Sequence, residues 1–451
     1  MQKKQVKFKD ALVTVIILTL IMFYAITVCK TNPHIPMLLG CAVASVISIK
    51  NGYRWVEIEE GMTNGIVQSL KSIIILMLIG ILIGIWIEAG IVPTIIYYGL
   101  KIVSPRFFLT TVMIVCSIIS MAVGSWGTAG TVGVAFMGMS QAMGVPLNIT
   151  AGAVISGAYF GDKISPLSDS TNLASAVTGV DIFENVRYMF PIAGLAYLIA
   201  GIIYTVMSWR FADNYYALAG IENIIGGLEN SFNISPVLLV PLVIVALCII
   251  RKVPSIPSIT IGIIMAVLIA LFFQETDIQR IFSVAYYGYI GQTGDNVLDR
   301  LLTVGGLEKM MFTVSMIIAA MMFGGIIEST GQIEALMTRI LKRVTSSGVL
   351  VSLTVFTCII INMILPEQYI AISIPGKMYA KDYKKRSIDL RELTRALGAG
   401  GATTSPLVAW NTCGLFMSSV LGVSAFLYAP YAILNLVTPV LVIMVGFVKQ
   451  R

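Results

Sequence analysis

Charge is the scarcest property of this chain. Only 12% of its 451 residues are Asp, Glu, Lys or Arg, about half the share of a soluble globular protein. That leaves too little polar surface to coat a water-soluble body of this size. Histidine is scarcer still: His34 stands alone and reads as a loop residue between two apolar runs. The six cysteines (Cys29, Cys41, Cys116, Cys248, Cys358 and Cys413) form no CxxC pair and lie in or beside apolar runs, so they read as small packing residues. A lone histidine and no paired cysteines argue against a zinc or haem centre. The net charge of +7 comes without a basic helix interleaved with aromatics, which argues against nucleic acid. The glycine-rich stretch Gly124–Gly133 lacks the Gly-Lys-Ser/Thr ending of a phosphate loop.

What is abundant is apolar length. The chain is 57% hydrophobic, with a mean hydropathy of +0.89. Runs that suit a hydrocarbon core of about 30 Å fall near 11–29, 35–49, 72–90, 107–123, 187–208, 235–250, 256–273, 309–327, 347–365 and 426–448. Basic residues cluster in the short segments between them, the pattern that sets membrane orientation. No small-residue cleavage site follows the first run, so it reads as a retained span with the N-terminus in the cytoplasm. The expectation is an all-α polytopic protein of a prokaryotic plasma membrane, with the lipid bilayer as its first partner and a homodimer as its assembly. The stretch Glu57–Lys71 reads as an interfacial amphipathic helix or a loop, and Glu88 and Glu328, each before a turn glycine, as interfacial.

The two halves echo each other at a nearly constant offset. Gly90 and Gly331 close equivalent apolar runs, 241 positions apart. Ser165-Pro166-Leu167 recurs as Ser405-Pro406-Leu407, Gly161 as Gly401, and Thr171-Asn172 as Asn411-Thr412. Ordered matches in the same hydropathy context point to duplication. The second-half segments Arg339–Arg343 and Lys377–Arg395 are strongly basic, whereas their first-half counterparts are not, apart from Lys101 and Arg106. Equivalent loops of opposite basic bias imply opposite sides of the membrane, hence inverted repeats. The division expected is 1–210 as the first repeat with the N-terminal spans, 211–234 as linker and 235–451 as the second repeat.

Chemistry concentrates where apolar segments break. Gly161-Asp162-Lys163-Ile164-Ser165-Pro166-Leu167-Ser168-Asp169-Ser170-Thr171-Asn172 places three ionisable groups between apolar helical segments. A charge at the bilayer centre costs about 2.5–3.5 kcal/mol or more, so such a cluster faces protein, water or an ion. Proline frees backbone carbonyls, and irregular backbone is tolerated at membrane depth only where it is buried in protein or lines a cavity. The reading is a discontinuous helix offering oxygen ligands to a hard cation such as sodium. Its ion-binding candidates are Asp169, Asn172, Thr171, Ser165 and Asp162, with sodium at Asp169 and Asn172. In the second copy, Ala402 and Ala409 stand at the offset of Asp162 and Asp169, so charge-dependent binding leans on the first. Upstream interruptions at Gly124-Ser125-Trp126-Gly127-Thr128 and Pro366-Glu367-Gln368-Tyr369 read as re-entrant hairpins whose tips approach the breaks. Asp162 and Glu367 are the proton-coupling candidates. Ser125, Trp126, Thr128, Gln368, Tyr369, Ser405, Trp410, Asn411 and Thr412 are the substrate-binding candidates.

Blander readings stand beside these. Asp162-Lys163 could be a surface ion pair, Asp169 a helix N-cap, the hydroxyls could bond back to their own helices, and the glycines could serve helix packing alone.

At Gly124-Ser125-Trp126-Gly127-Thr128, Gly157-Ala158-Tyr159-Phe160-Gly161-Asp162-Lys163, Ser165-Pro166-Leu167-Ser168-Asp169, Thr404-Ser405-Pro406-Leu407 and Trp410-Asn411-Thr412-Cys413-Gly414, the chain resembles the NhaC-type sodium/proton antiporter family, from about Glu57 to Gly446. The resemblance implies alternating-access exchange of sodium for protons, with those ions as cargo and no cofactor. It also admits a small organic acid, such as malate or lactate, or an amino acid as substrate. An acidic pair common in that family just before the second break is Gly398-Ala399 here, and its Asp-Gln-Tyr hairpin sequence is Glu367-Gln368-Tyr369. The loss of that acidic pair fits an organic anion better than it fits simple sodium/proton stoichiometry. A channel and an intramembrane protease are the competing classes. The first calls for a repeated filter or charge ring, whereas broken helices and inverted repeats fit a carrier better; Asp162 and Asp169 could nominally serve the second.

Overall fold

The computed structural model describes residues 6–29, 31–166, 168–211, 224–251, 253–294, 298–299, 302–340, 346–365 and 367–448. Leu167, Pro366, the Arg343 end of one basic segment and half of the expected linker (212–223) lie outside the described residues, as does the start of the N-terminal basic stretch.

Every regular element among the described residues is helical. The chain runs α1 (Phe8–Phe23), α2 (His34–Lys50), α3 (Trp55–Glu88), α4 (Ile91–Ile102), α5 (Phe108–Thr128), α6 (Val134–Ala142), α7 (Leu147–Ile164), α8 (Asp169–Thr178) and α9 (Ile182–Trp209). After the link come α10 (Val240–Ile250), α11 (Ser255–Phe273), α12 (Ile278–Tyr287), α13 (Leu307–Ser329), α14 (Gln332–Ile340), α15 (Ser347–Ile364), α16 (Gln368–Lys385), α17 (Leu390–Leu397), α18 (Thr412–Leu421) and α19 (Ile433–Val448). Five described helices are long and apolar enough to cross a membrane, or nine if each sharply bent pair is one span. Leu198 and Ile202 on α9 and Phe272 on α11 point outward, as suits helices whose solvent is hydrocarbon.

Helix ends recur in parallel. α3 and α13 each run into a left-handed glycine, Gly90 and Gly331; α8 and α18 each end on another, Gly179 and Gly422. Glycine takes that conformation without a β-carbon penalty and closes a helix C-terminus. α8 begins on the N-cap Ser168 and α18 on the N-cap Asn411. These caps lie 243 positions apart, three more than the proline match. The helical counterpart of Asp169 is therefore Thr412, not Ala409, because the second break carries three extra residues.

α3 and α13 cross closely and form the spine. A β-carbon on Gly65 would stand 2.1 Å from the Met321 carbonyl oxygen, and one on Gly325 2.0 Å from that of Gly61. Only glycine allows this approach, the usual device where apolar contact with lipid and with protein cost alike. The stretch Glu57–Lys71 is thus a helix and not a loop: it is the first part of α3, leading into its apolar part and held against α13. Glu88, which ends α3, is nearly buried. It accepts hydrogen bonds from Arg280 Nε at 2.7 Å and Thr276 Oγ1 at 3.1 Å, which ties α12 to α3. His34, read as a loop residue, starts α2, and its Nε2 lies 2.9 Å from the Phe312 carbonyl oxygen on α13.

Around this spine the remaining helices pack crosswise. α5 packs on α7 and α9, and α15 on α16, α17 and α19. Contacts between the halves join each half's broken segment to the other half. α8 packs on α16 and α17, α19 on α7 and α9, and α18 on the π-helical turn Ala129–Gly133.

Candidate functional site

The first break follows from its own residues. α7 stops at Ile164 and the chain is extended at Ser165. Pro166 supplies no amide to continue the helix. Ser168 restarts it by accepting from the Thr171 N–H at 3.4 Å. Asp169 is therefore the first residue of α8 rather than its N-cap, in the favourable position for a carboxylate at a helix N-terminus.

The orphaned backbone is closed by the break's own side chains. Thr171 Oγ1 donates to the Lys163 carbonyl at 3.2 Å; Asn172 Nδ2 donates to those of Pro166 and Ser168 at 2.9 and 2.8 Å. Ser165 Oγ donates to the Met121 carbonyl on α5 at 2.7 Å. Asn172 is exposed and its amide nitrogen is spent on the loop.

Asp162 lies on the last turn of α7 and faces the kink in α5. At that kink Gly124 has φ 75° and ψ 171°. A β-carbon on Gly124 would lie 3.5 Å from Asp162 Oδ1, and its positive φ demands glycine in any case. The Asp162 carboxylate accepts from Ser170 Oγ at 3.3 Å and faces the Ser125 backbone N–H. Ser125 thus meets the site through its backbone. Thr128 Oγ1 donates back to the Gly124 carbonyl at 2.9 Å and steadies the kink. Trp126 stacks on Phe416 of α18, centroids 4.2 Å apart. Asp169 is exposed and within electrostatic reach of Asp162.

The second break is wired differently. After α17 come a π-helical turn, Gly398–Ala402, and a 3₁₀ turn, Ser405–Leu407. Asn362 Nδ2 donates to the carbonyls of Gly401 and Gly400 at 2.7 and 3.3 Å, and Asn435 Nδ2 to that of Thr403 at 2.8 Å. Tyr428 donates to the Pro406 carbonyl at 2.6 Å, and Thr404 and Ser405 bond back to Gly400 and Ala402. Asn411 Nδ2 donates to Asn362 Oδ1 at 3.1 Å while its Oδ1 caps α18; Trp410 Nε1 donates to the Met363 carbonyl at 2.7 Å. These are all donors from other elements or the local turn, and they satisfy the carbonyls that proline frees.

Glu367 ties α16 to the start of α18. It caps α16, is 3% exposed, and accepts from Thr412 Oγ1 at 2.9 Å and the Tyr369 N–H at 3.4 Å. Gln368 Oε1 accepts from Ser405 Oγ at 2.8 Å and Cys413 Sγ at 3.2 Å. Tyr369 is within electrostatic reach of Asp169, Glu367 and Asp162 and is 37% exposed. Among the described residues no group of three or more His, Cys, Asp or Glu side chains converges as a metal centre. Asn362, Asn435, Tyr428 and Phe416 were missed from sequence. The two asparagines had a signal: each is a lone amide inside an apolar run.

Comparison with known proteins is consistent along the chain. The Na+/H+ antiporter family model matches residues 157–449. The Na(+)/H(+) antiporter NhaC of Bacillus subtilis (strain 168) is 37% identical over 451 residues, 99% of each chain. The Malate-2H(+)/Na(+)-lactate antiporter of the same organism is 37% identical over 406 residues, covering 90% of this chain and 87% of that one. The Arginine/ornithine antiporter ArcD of Halobacterium salinarum is 33% identical over 449 residues, covering 99% and 93%.

Proposed function

The chain belongs to the Na+/H+ antiporter family, and from that premise we propose that it exchanges sodium for protons across a cell membrane, with the first break as the ion site. The observation that carries this is the asymmetry of the breaks: Asp162 and Asp169 flank Ser165–Ser168, whereas the second break has no carboxylate within it. Sodium binds at Asp169, with the amide oxygen of Asn172, the hydroxyls of Ser165 and Thr171, and backbone carbonyls as further oxygen ligands. Asp162 and Glu367 are the groups that trade a proton for the ion. A carboxylate shared between sodium and a proton binds one at a time, and this competition is what couples the two fluxes.

Ser125, Trp126 and Thr128 on one side, and Gln368, Tyr369, Ser405, Trp410, Asn411 and Thr412 on the other, form the walls. The kink at Gly124 and the α15–α16 connection act as re-entrant hairpins. Residues 1–210 and 235–451 act as inverted repeats joined by 211–234, with a cytoplasmic N-terminus. One repeat-derived unit moves against the other to give alternating access. The working unit is a homodimer in the lipid bilayer, and no cofactor takes part. The relative named as a malate/lactate antiporter supports a second reading, in which a small organic acid or amino acid travels with the ions.

The test is sodium-driven proton movement in proteoliposomes. The wild-type protein is expected to alkalinise or acidify the lumen according to the sodium gradient, and Asp169→Asn to lose that response. Full exchange by Asp169→Asn would remove the first break from the mechanism.

A further inference from the structure

Asp169 and Glu367 are set in opposite ways against the two half-helices that follow the breaks. Asp169 is the first residue of α8 and is exposed. At the same helical position α18 carries Thr412, which is fully buried. The Thr412 hydroxyl donates to Glu367 Oε2 at 2.9 Å. The α15–α16 connection thus brings a carboxylate to the first residue of α18, where α8 has one of its own. Helix N-terminal dipoles favour a carboxylate in either place.

The partners of Glu367 are donors. Its Oε1 accepts from the Tyr369 N–H at 3.4 Å, and the Gln368 N–H faces the same carboxylate. Among the described residues Thr412 is the one side chain that donates to it, and no Lys or Arg pairs with it. The titratable groups that face it are the Tyr369 phenol on its own helix and the Cys413 thiol on α18. Glu367 is 3% exposed. Sodium asks for a shell of oxygen acceptors, and N–H and O–H donors offer it none. A proton asks only for one carboxylate lone pair.

We infer that Glu367 carries a proton and never sodium, and that Thr412 is its positioning residue, setting the pH at which that proton comes off. This rests on the exchange reading and divides its labour: sodium belongs to the first break, and the contact between α16 and α18 belongs to the proton. Thr412 acts through Glu367 rather than on the cargo. A hydrogen bond to a carboxylate favours its charged form, so loss of the Thr412 hydroxyl holds the proton on to higher pH.

The full chain, purified in detergent, is titrated with acid while its protonated-carboxyl band is followed by infrared difference spectroscopy. The component missing from Glu367→Gln belongs to Glu367. Its midpoint should rise by about one pH unit, a change of about tenfold in proton affinity, in Thr412→Val and stay in place in Thr412→Ser. Sodium binding is measured calorimetrically above that midpoint. Glu367→Gln should bind sodium within about twofold of the wild type, whereas Asp169→Asn should bind it at least about tenfold more weakly. An unmoved midpoint in Thr412→Val overturns the positioning role, and a clear loss of sodium affinity in Glu367→Gln overturns the division. If Thr412→Val does not fold, the sodium titration of Glu367→Gln decides. If Glu367→Gln does not fold, a component that moves in Thr412→Val and not in Thr412→Ser decides, and the lack of one overturns the inference. Asp169→Asn binding sodium like the wild type would cost the exchange reading its ion site, while the infrared midpoints, read without transport, still score Thr412.

Discussion

The two proline breaks share a motif and differ in who satisfies their backbone. In the first, Thr171 and Asn172 close the loop from within, and the carboxylates of Asp162 and Asp169 border it. In the second, Asn362, Asn435 and Tyr428 reach in from α15, α19 and the segment before α19 and take the same class of carbonyl. A break closed by remote, buried amides is a fixed joint. A break closed by its own short side chains, with acids at its edge, can open toward a cation without dismantling its neighbours. Duplicated backbone geometry thus serves two purposes, and the difference lies in the donors, not in the break.

That contrast can be attacked from both sides. Asp162→Asn should produce the largest effect, reducing sodium-dependent proton flux in proteoliposomes to that of empty vesicles while leaving the melting temperature of the purified protein unchanged. A parallel fall in melting temperature would instead make Asp162 a structural residue. Asn362→Ala should act the other way round: it strips donors from Gly400 and Gly401 and removes the side-chain acceptor of Asn411, costing about 2–4 kcal/mol in unfolding experiments. Unaltered stability would mean the second break is as adaptable as the first. Trp410→Phe removes one bond, to Met363, for about 1 kcal/mol in the same assay. The smallest change is expected from Ala409→Asp placed in an Asp169→Asn background. The cap register pairs Asp169 with Thr412, so exchange should stay at background; recovery would show that the breaks are interchangeable and that the proline register is the right one.

Much of this was legible beforehand, and the reason is locality. Apolar runs, left-handed glycines after Glu88 and Thr178, and a Ser-Pro interruption each act on their own neighbours, so the helices, their ends and the two breaks follow from nearby residues. Misreadings came where a distant element decides. Glu57–Lys71 has an amphipathic pattern that suits a membrane surface, but Gly61 and Gly65 commit it to α13. That Glu88 pairs with Arg280, far along the chain, could not be read from its place before a turn. The shift from Ala409 to Thr412 as the match for Asp169 came from cap geometry, which a residue-by-residue offset does not contain.

By itself the sequence determined that this protein lives in a bilayer as packed helices, that it holds two interrupted segments in corresponding places, and that carboxylates belong to one of them. These follow from transfer free energies and backbone stereochemistry, which act residue by residue. Only the tertiary structure decided which lone pairs at each break are already taken, that Glu367 accepts from Thr412 at the start of α18, and that Lys163 of one half reaches Thr403 of the other. Hydrogen-bond and charge balance are sums over neighbours in space, and those neighbours come from segments as far apart as 240 residues.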